Sequence, residues 1–70
     1  MNTDNYNKAI DRLVFYRRMG VEFAETGTAD YSAYIRMLSA GTNILAIASG
    51  KDSDAVRRDV REAYDSLYRC

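Results

Sequence analysis

Residues 28–49 read TADYSAYIRMLSAGTNILAIAS, a stretch that is amphipathic in its first half and apolar nearly all the way round in its second. A helix of that character needs partners on more than one side. Tyr31, Tyr34, Ile35, Leu38, Gly41, Thr42 and Leu45 recur at helical spacing along one face, as a buried face requires. Met37, Ala40, Ile44 and Ile47 form a second stripe roughly opposite, and only Ser32, Arg36, Ser39 and Asn43 make a polar strip. The competing reading is a turn at Gly41-Thr42-Asn43 followed by a short strand over 44–48. The unbroken helical period favours the helix.

The rest of the chain is short of material to surround such an element. Seventy residues make one domain, and a domain of that size buries only about 60% of its unfolded surface. Disulfides, a metal or oligomerisation usually make up the deficit. Cys70 is the single cysteine, so no intrachain disulfide can form, and there is no histidine. The usual zinc ligands are therefore missing, and neither a metal nor a cofactor is expected. Self-association is the supplement that remains.

Proline is absent, and the four glycines (Gly20, Gly27, Gly41, Gly50) are well spaced, which suits an all-helical chain punctuated by glycine. A first helix is expected over 4–25, capped by Asp4 or Asn5. Its buried face carries Tyr6, Ala9, Ile10, Leu13, Val14, Val21 and Ala24, while Phe15 and Met19 fall on another side. Gly20 lies within that stripe and costs roughly 1 kcal/mol against alanine, so another helix should approach it closely. Gly27 suits a left-handed C-cap, Thr28 an N-cap, and so short a connection makes the second helix, 29–49, an antiparallel neighbour of the first. Gly50 closes it, and Asp52 or Ser53 caps a third helix over 54–69. Val56, Val60, Ala63, Leu67 and Cys70 give that helix a narrow 4-3-4-3 seam of coiled-coil kind. Its outer face offers opposite charges four apart, Asp54–Arg58–Glu62 and Arg61–Asp65–Arg69, worth about 0.2–0.5 kcal/mol per pair.

Composition excludes more chemistry than it suggests. Without histidine there is no Ser-His-Asp or Cys-His arrangement and no histidine base. Cys70 at the chain end has no fixed environment to lower its pKa, and no phosphate-loop, dinucleotide, CxxC or EF-hand pattern occurs. The chain is expected not to be an enzyme. Ten Lys+Arg against ten Asp+Glu give zero net charge, whereas phosphate-backbone binders carry a basic excess. The absence of a membrane-length apolar run or an N-terminal apolar segment makes a cytoplasmic location the expectation.

Three places could carry a site. Arg17 points with Tyr6, Ile10, Leu13 and Val14, the middle of the first helix's apolar face, so its charge needs a partner or must reach out of the core. It either packs its stem and pairs with Asp30 or Glu25, or it holds an anionic ligand or a partner's carboxylate. The start of the second helix, with Thr26, Gly27 and Thr28 before free amides and Tyr31 and Tyr34 beside them, could complete such an anion site or simply rim the core. Arg57, Arg58, Arg61 and Arg69 with Tyr64 and Tyr68 resemble a nucleic-acid-facing helix, but Asp54, Asp59, Glu62 and Asp65 interleave with them. A solvated charged face is the plainer reading.

The expectation is thus an all-α, compact three-helix domain, an αα-hairpin plus a third helix, assembling as a helical homo-oligomer. Phe15, Met19, Met37, Ile44 and Ile47 are the expected interface, with Tyr64 and Tyr68 exposed beside the third helix. The expected function is a non-catalytic interaction protein acting stoichiometrically on a protein partner, as antagonists encoded by mobile elements and small adaptors do. The alternatives are an oligomeric module for a nucleotide or other phosphate-bearing ligand, built on Arg17, Thr26, Gly27, Thr28, Tyr31 and Tyr34, and nucleic-acid binding through the third helix.

Overall fold

Asn2 starts the first helix. Its side-chain oxygen accepts the Asn5 amide at 2.8 Å and its carbonyl accepts the Tyr6 amide at 3.0 Å. This satisfies first-turn donors that have no partner within the helix. In this computed structural model, which describes residues 1–27 and 31–68 apart from the side chains of Phe23 and Tyr31, α1 accordingly spans Thr3–Thr26. The cap expected at Asp4 or Asn5 lies two or three residues earlier, because Asn2 already offers the acceptor. Thr28, Asp30, Arg69 and Cys70, and with them the expected N-cap, a possible Arg17 partner and the end of the third seam, lie outside the described residues.

The two glycine stops form as the sequence implies. Gly27 has φ 72° and Gly50 φ 74°, the left-handed region where a side chain would be strained. The Gly27 amide donates to Ala24 and the Lys51 amide to Ala46, and the second of these is the six-to-one bond of a Schellman cap. Between them α2 runs unbroken over Tyr31–Ser49, so no turn interrupts it at Gly41 and 44–48 is not a strand. The Val56 amide then donates to the Asp52 carbonyl at 3.1 Å, which opens α3, Ser53–Tyr68. The described residues are all-helical, with no strand.

All three pairs of helices touch, α1 with α2 most extensively. The contact is close because glycine permits it. A Cβ on Gly41 would lie 2.6 Å from Leu13 Cδ2, and one on Gly20 would lie 3.1 Å from Ile35 Cδ1. Ile10, Leu13 and Val14 of α1, Leu45 and Ala46 of α2, and Val56 and Val60 of α3 form the buried core. At about 1.5 Å per residue, α1 accounts for the 37 Å long dimension, and the molecule is only 18 Å thick. α2 packs on both α1 and α3 and leaves Ile44 and Ile47 exposed.

Several expected core positions are open. Ile35 is 43% exposed and Leu67 66%, Ala24 is exposed, and Tyr34 and Leu38 are half-buried. Leu67 therefore does not join the buried seam of Val56 and Val60. Ala46, which neither stripe included, is buried, and Thr42 is buried as its place on the core face implies. Thr42 is tolerated there because its hydroxyl donates to the Leu38 carbonyl at 2.7 Å. No described helix is long and apolar enough to cross a membrane.

Candidate functional site

Three surfaces have the shape or chemistry of a site. The first is a polar clasp between the start of α1 and the middle of α3. Tyr6 donates its hydroxyl to Asp59, Lys51 donates to the same carboxylate oxygen at 3.3 Å, and the Lys51 ammonium stands 4.1 Å from the centre of the Tyr6 ring. A shallow cleft of about 610 Å³ opens beside it. The three groups satisfy one another, so the clasp fastens α3 to α1 and leaves little for a ligand. Neither sequence periodicity nor charge spacing signals it, since Asp59 sits outside the four-apart lattice and Lys51 lies in a turn.

The clasp titrates at both ends of the pH scale. The Tyr6 hydrogen bond holds the Asp59 carboxyl below its ordinary value of 3.8. The unfolded chain therefore binds the proton more readily, and this contribution is lost as pH falls through the folded-state value. Burial, then the bond to Asp59, raises Tyr6 above its ordinary 10.0. The hydrogen bond to Asp59 raises Lys51 in the same way. These two contributions are complete below pH 10 and disappear as pH rises through the raised values. Tyr6→Phe should cost about 1 kcal/mol near neutrality, a charged hydrogen bond discounted for partial exposure, and should flatten both limbs in urea titrations run across pH. A variant whose stability parallels the wild type at every pH would show that the clasp contributes nothing.

The second surface is the outer side of α2. Met37 is 45% exposed, Ile44 67% and Ile47 84%, and Ala33, Ala40 and Ala48 of the same stripe are exposed as well. α3 does not cover them. The stripe borders a groove of about 250 Å³ whose α1 side is formed by Ala9, Arg12, Leu13 and Tyr16. Phe15, 51% exposed, meets Tyr16 edge-on at 5.8 Å and so extends the apolar surface around α1. Met19, by contrast, is half-buried. Tyr64, expected to be exposed, is half-buried too. It packs on Tyr68 at 5.1 Å between ring centres, and both belong to a different side of the molecule.

The third surface lies there. Arg17 reaches from α1 to α3, its guanidinium carbon 4.9 Å from the centre of the Tyr64 ring. Arg18 lies over Tyr68 at 4.8 Å and bonds Glu22 at 3.0 Å. It is therefore half-buried and engaged, not free in solvent as helical geometry alone suggests. A cleft of about 320 Å³ is lined by Arg17 from α1, by Leu38, Ser39 and Thr42 from α2, and by Arg57, Arg58, Val60 and Arg61 from α3. Asp54 is the one carboxylate lining it, and it pairs with Arg57 at 2.9 Å instead of with Arg58 four residues on. Four cations against one anion leave three net positive charges in a chain whose total is zero. The Arg17 Nε–H is buried and has no acceptor among the described residues.

The structure thus separates residues that the sequence grouped, and groups residues that it separated. Arg17 does not meet the start of α2. It faces Leu38 and Thr42, about two turns further along, while Thr26 and Gly27 are exposed at the far end of the hairpin. Thr28 and the Tyr31 side chain lie outside the described residues, and Tyr34 packs on Tyr16 at 6.4 Å. Arg17 instead joins Arg57, Arg58 and Arg61, residues assigned from the sequence to a separate surface. No local signal joins them, because the sequence offers Arg58 and Arg61 carboxylates four residues away. Among the described residues no group of three or more metal-ligating side chains comes together. Compared with protein-family models, curated proteins and solved structures, the chain matches none.

Proposed function

We propose that this chain is a small non-catalytic interaction protein that assembles with copies of itself through α2 and acts stoichiometrically on a protein partner as a regulator, inhibitor or adaptor. The observation that carries this reading is the outward stripe of Met37, Ile44 and Ile47. A contiguous apolar surface on a small helical chain marks a place where another macromolecule packs. The groove beside it gives a large side chain somewhere to insert, as interface anchors require. The small buried core supports the reading independently, because a second layer of helices against α2 would supply the burial that a 70-residue chain lacks alone.

Ile47→Asp tests it with little cost to the fold, since that side chain is 84% exposed. In sedimentation at micromolar concentration the wild type should run as a multiple of 8.0 kDa. The variant should run as a monomer with unchanged helical circular dichroism. Crosslinks to a host protein should map to α2 in the wild type and be lost with Ile47→Asp. A wild type that stays monomeric up to about 100 μM, weaker than specific assembly at that level requires, sinks the self-association. Crosslinks that persist in the variant would move the partner's surface elsewhere.

A further inference from the structure

The arginine cleft lies on the opposite side of α2 from the apolar stripe, and self-association does not account for it. Arg17 of α1 and Arg57, Arg58 and Arg61 of α3 all line it. Each guanidinium is a planar fork of N–H donors suited to carboxylate or phosphate oxygens. Holding like charges together is unfavourable, and Asp54, committed to Arg57, offsets only part of it. Arg17 adds a second mark of incompleteness. Its guanidinium carbon stands over the Tyr64 ring, and its buried Nε–H has no acceptor among the described residues. An anion entering the cleft offsets the excess positive charge of its lining.

We propose that this cleft binds a compact small molecule carrying two linked phosphate groups, of the nucleoside-diphosphate or pyrophosphate kind. The charge selects the class. One phosphomonoester brings about −1.5 to −2 charges at pH 7, and a second phosphate brings more, so the linked pair matches the three net positive charges of the lining. A simple carboxylate leaves most of them uncompensated. The volume, about 320 Å³, is at the small end for organic ligands and suits a diphosphate with a modest body over Leu38 and Val60. Ser39, at the rim, has a hydroxyl to donate to a phosphate oxygen. A polynucleotide fits less well. Beyond the cleft, Asp59, Glu62 and Asp65 interrupt the basic surface of α3, and backbone binding requires an extended run of cations.

Calorimetric titration of the full chain with pyrophosphate, with ADP and with a single-stranded oligonucleotide tests this. Pyrophosphate and ADP should bind saturably, one per chain. Arg61→Gln and Arg58→Gln, both at exposed positions, should each weaken binding about tenfold or more, as loss of a charge-assisted hydrogen bond implies. Arg36→Gln, an exposed arginine of α2 outside the cleft, should leave it unchanged, and so should Ile47→Asp, which separates this site from the apolar stripe. Three results overturn the proposal. One is no saturable binding of either probe up to about 10 mM, beyond useful affinity. Another is an equal loss from Arg36→Gln, which would mean diffuse attraction. The third is an oligonucleotide that binds more tightly than ADP with a steep salt dependence, which would assign the arginines to nucleic acid.

Discussion

Leu13→Ala should destabilise the fold by about 2–5 kcal/mol, the range for large-to-small changes at a buried leucine. Leu13 is 4% exposed and stands at the meeting of α1 and α2. For 70 residues the whole stability is on the order of 4–10 kcal/mol, so this one truncation removes much of it. The informative experiment adds Gly41→Ala. In the wild type the new methyl would lie 2.6 Å from Leu13 Cδ2, and overpacking a buried leucine costs about 1–3 kcal/mol. This outweighs the roughly 1 kcal/mol that alanine gains over glycine within a helix. With Leu13 shortened the obstruction is gone, and the same substitution should become stabilising. Urea unfolding of the four proteins in the cycle should therefore show Gly41→Ala reversing sign, a coupling of about 1–3 kcal/mol between adjacent sites. Equal effects in both backgrounds would mean that the helices separate freely at this point and that Gly41 is not needed for close approach.

Val56→Asp should abolish the folded state at 25 °C. Val56 is 0% exposed, and a carboxylate placed there has no cation from the buried core to meet, since the residues around it are Ile10, Val14, Leu45 and their neighbours. Burying an unpaired charge costs several kcal/mol even after relaxation, comparable with the stability of the whole domain. Circular dichroism should show loss of helix and of any cooperative thermal transition. Val56→Ala, which removes only packing, should retain the fold and lose about 1–3 kcal/mol. The pair separates charge from volume. If Val56→Asp melted cooperatively within a few degrees of the alanine variant, α3 would not be anchored where the core places it.

The helices were legible because their signals are local. Helical spacing, two glycines in left-handed caps and the lack of proline determine element type and ends over spans of a few residues. The cap at Asn2 was missed only because Asp4 and Asn5 are equally good acceptors, and geometry decides which reaches the first amides. The apolar stripes were legible as stripes, but which one stays open was not. That depends on how far around α2 the third helix extends, and Leu67 and Ile35 show that it extends less than their hydrophobicity suggests. The arginine cleft was least accessible to sequence reading. Arg17 and Arg61 are 44 positions apart, and nothing in either local pattern says that the crossing of α1 and α3 brings them to the same cavity. Tyr6 and Asp59 met for the same reason, across 53 positions.

The unequal lengths of the helices have a consequence for motion. α1 has 24 residues and α3 only 16. The contacts between them run from Tyr6 with Asp59 to Arg18 with Tyr68. Toward the end of α1, Ala24, Glu25 and Thr26 are exposed. The cost of local opening is set by the burial that opening releases, so it is graded along the long axis. Opening is cheapest at the hairpin end of α1 and approaches the cost of global unfolding near Val14 and Val56. The molecule is in this sense a splint with one tight end and one loose end, and the arginine cleft lies between the two, where rigid helices still hold its walls.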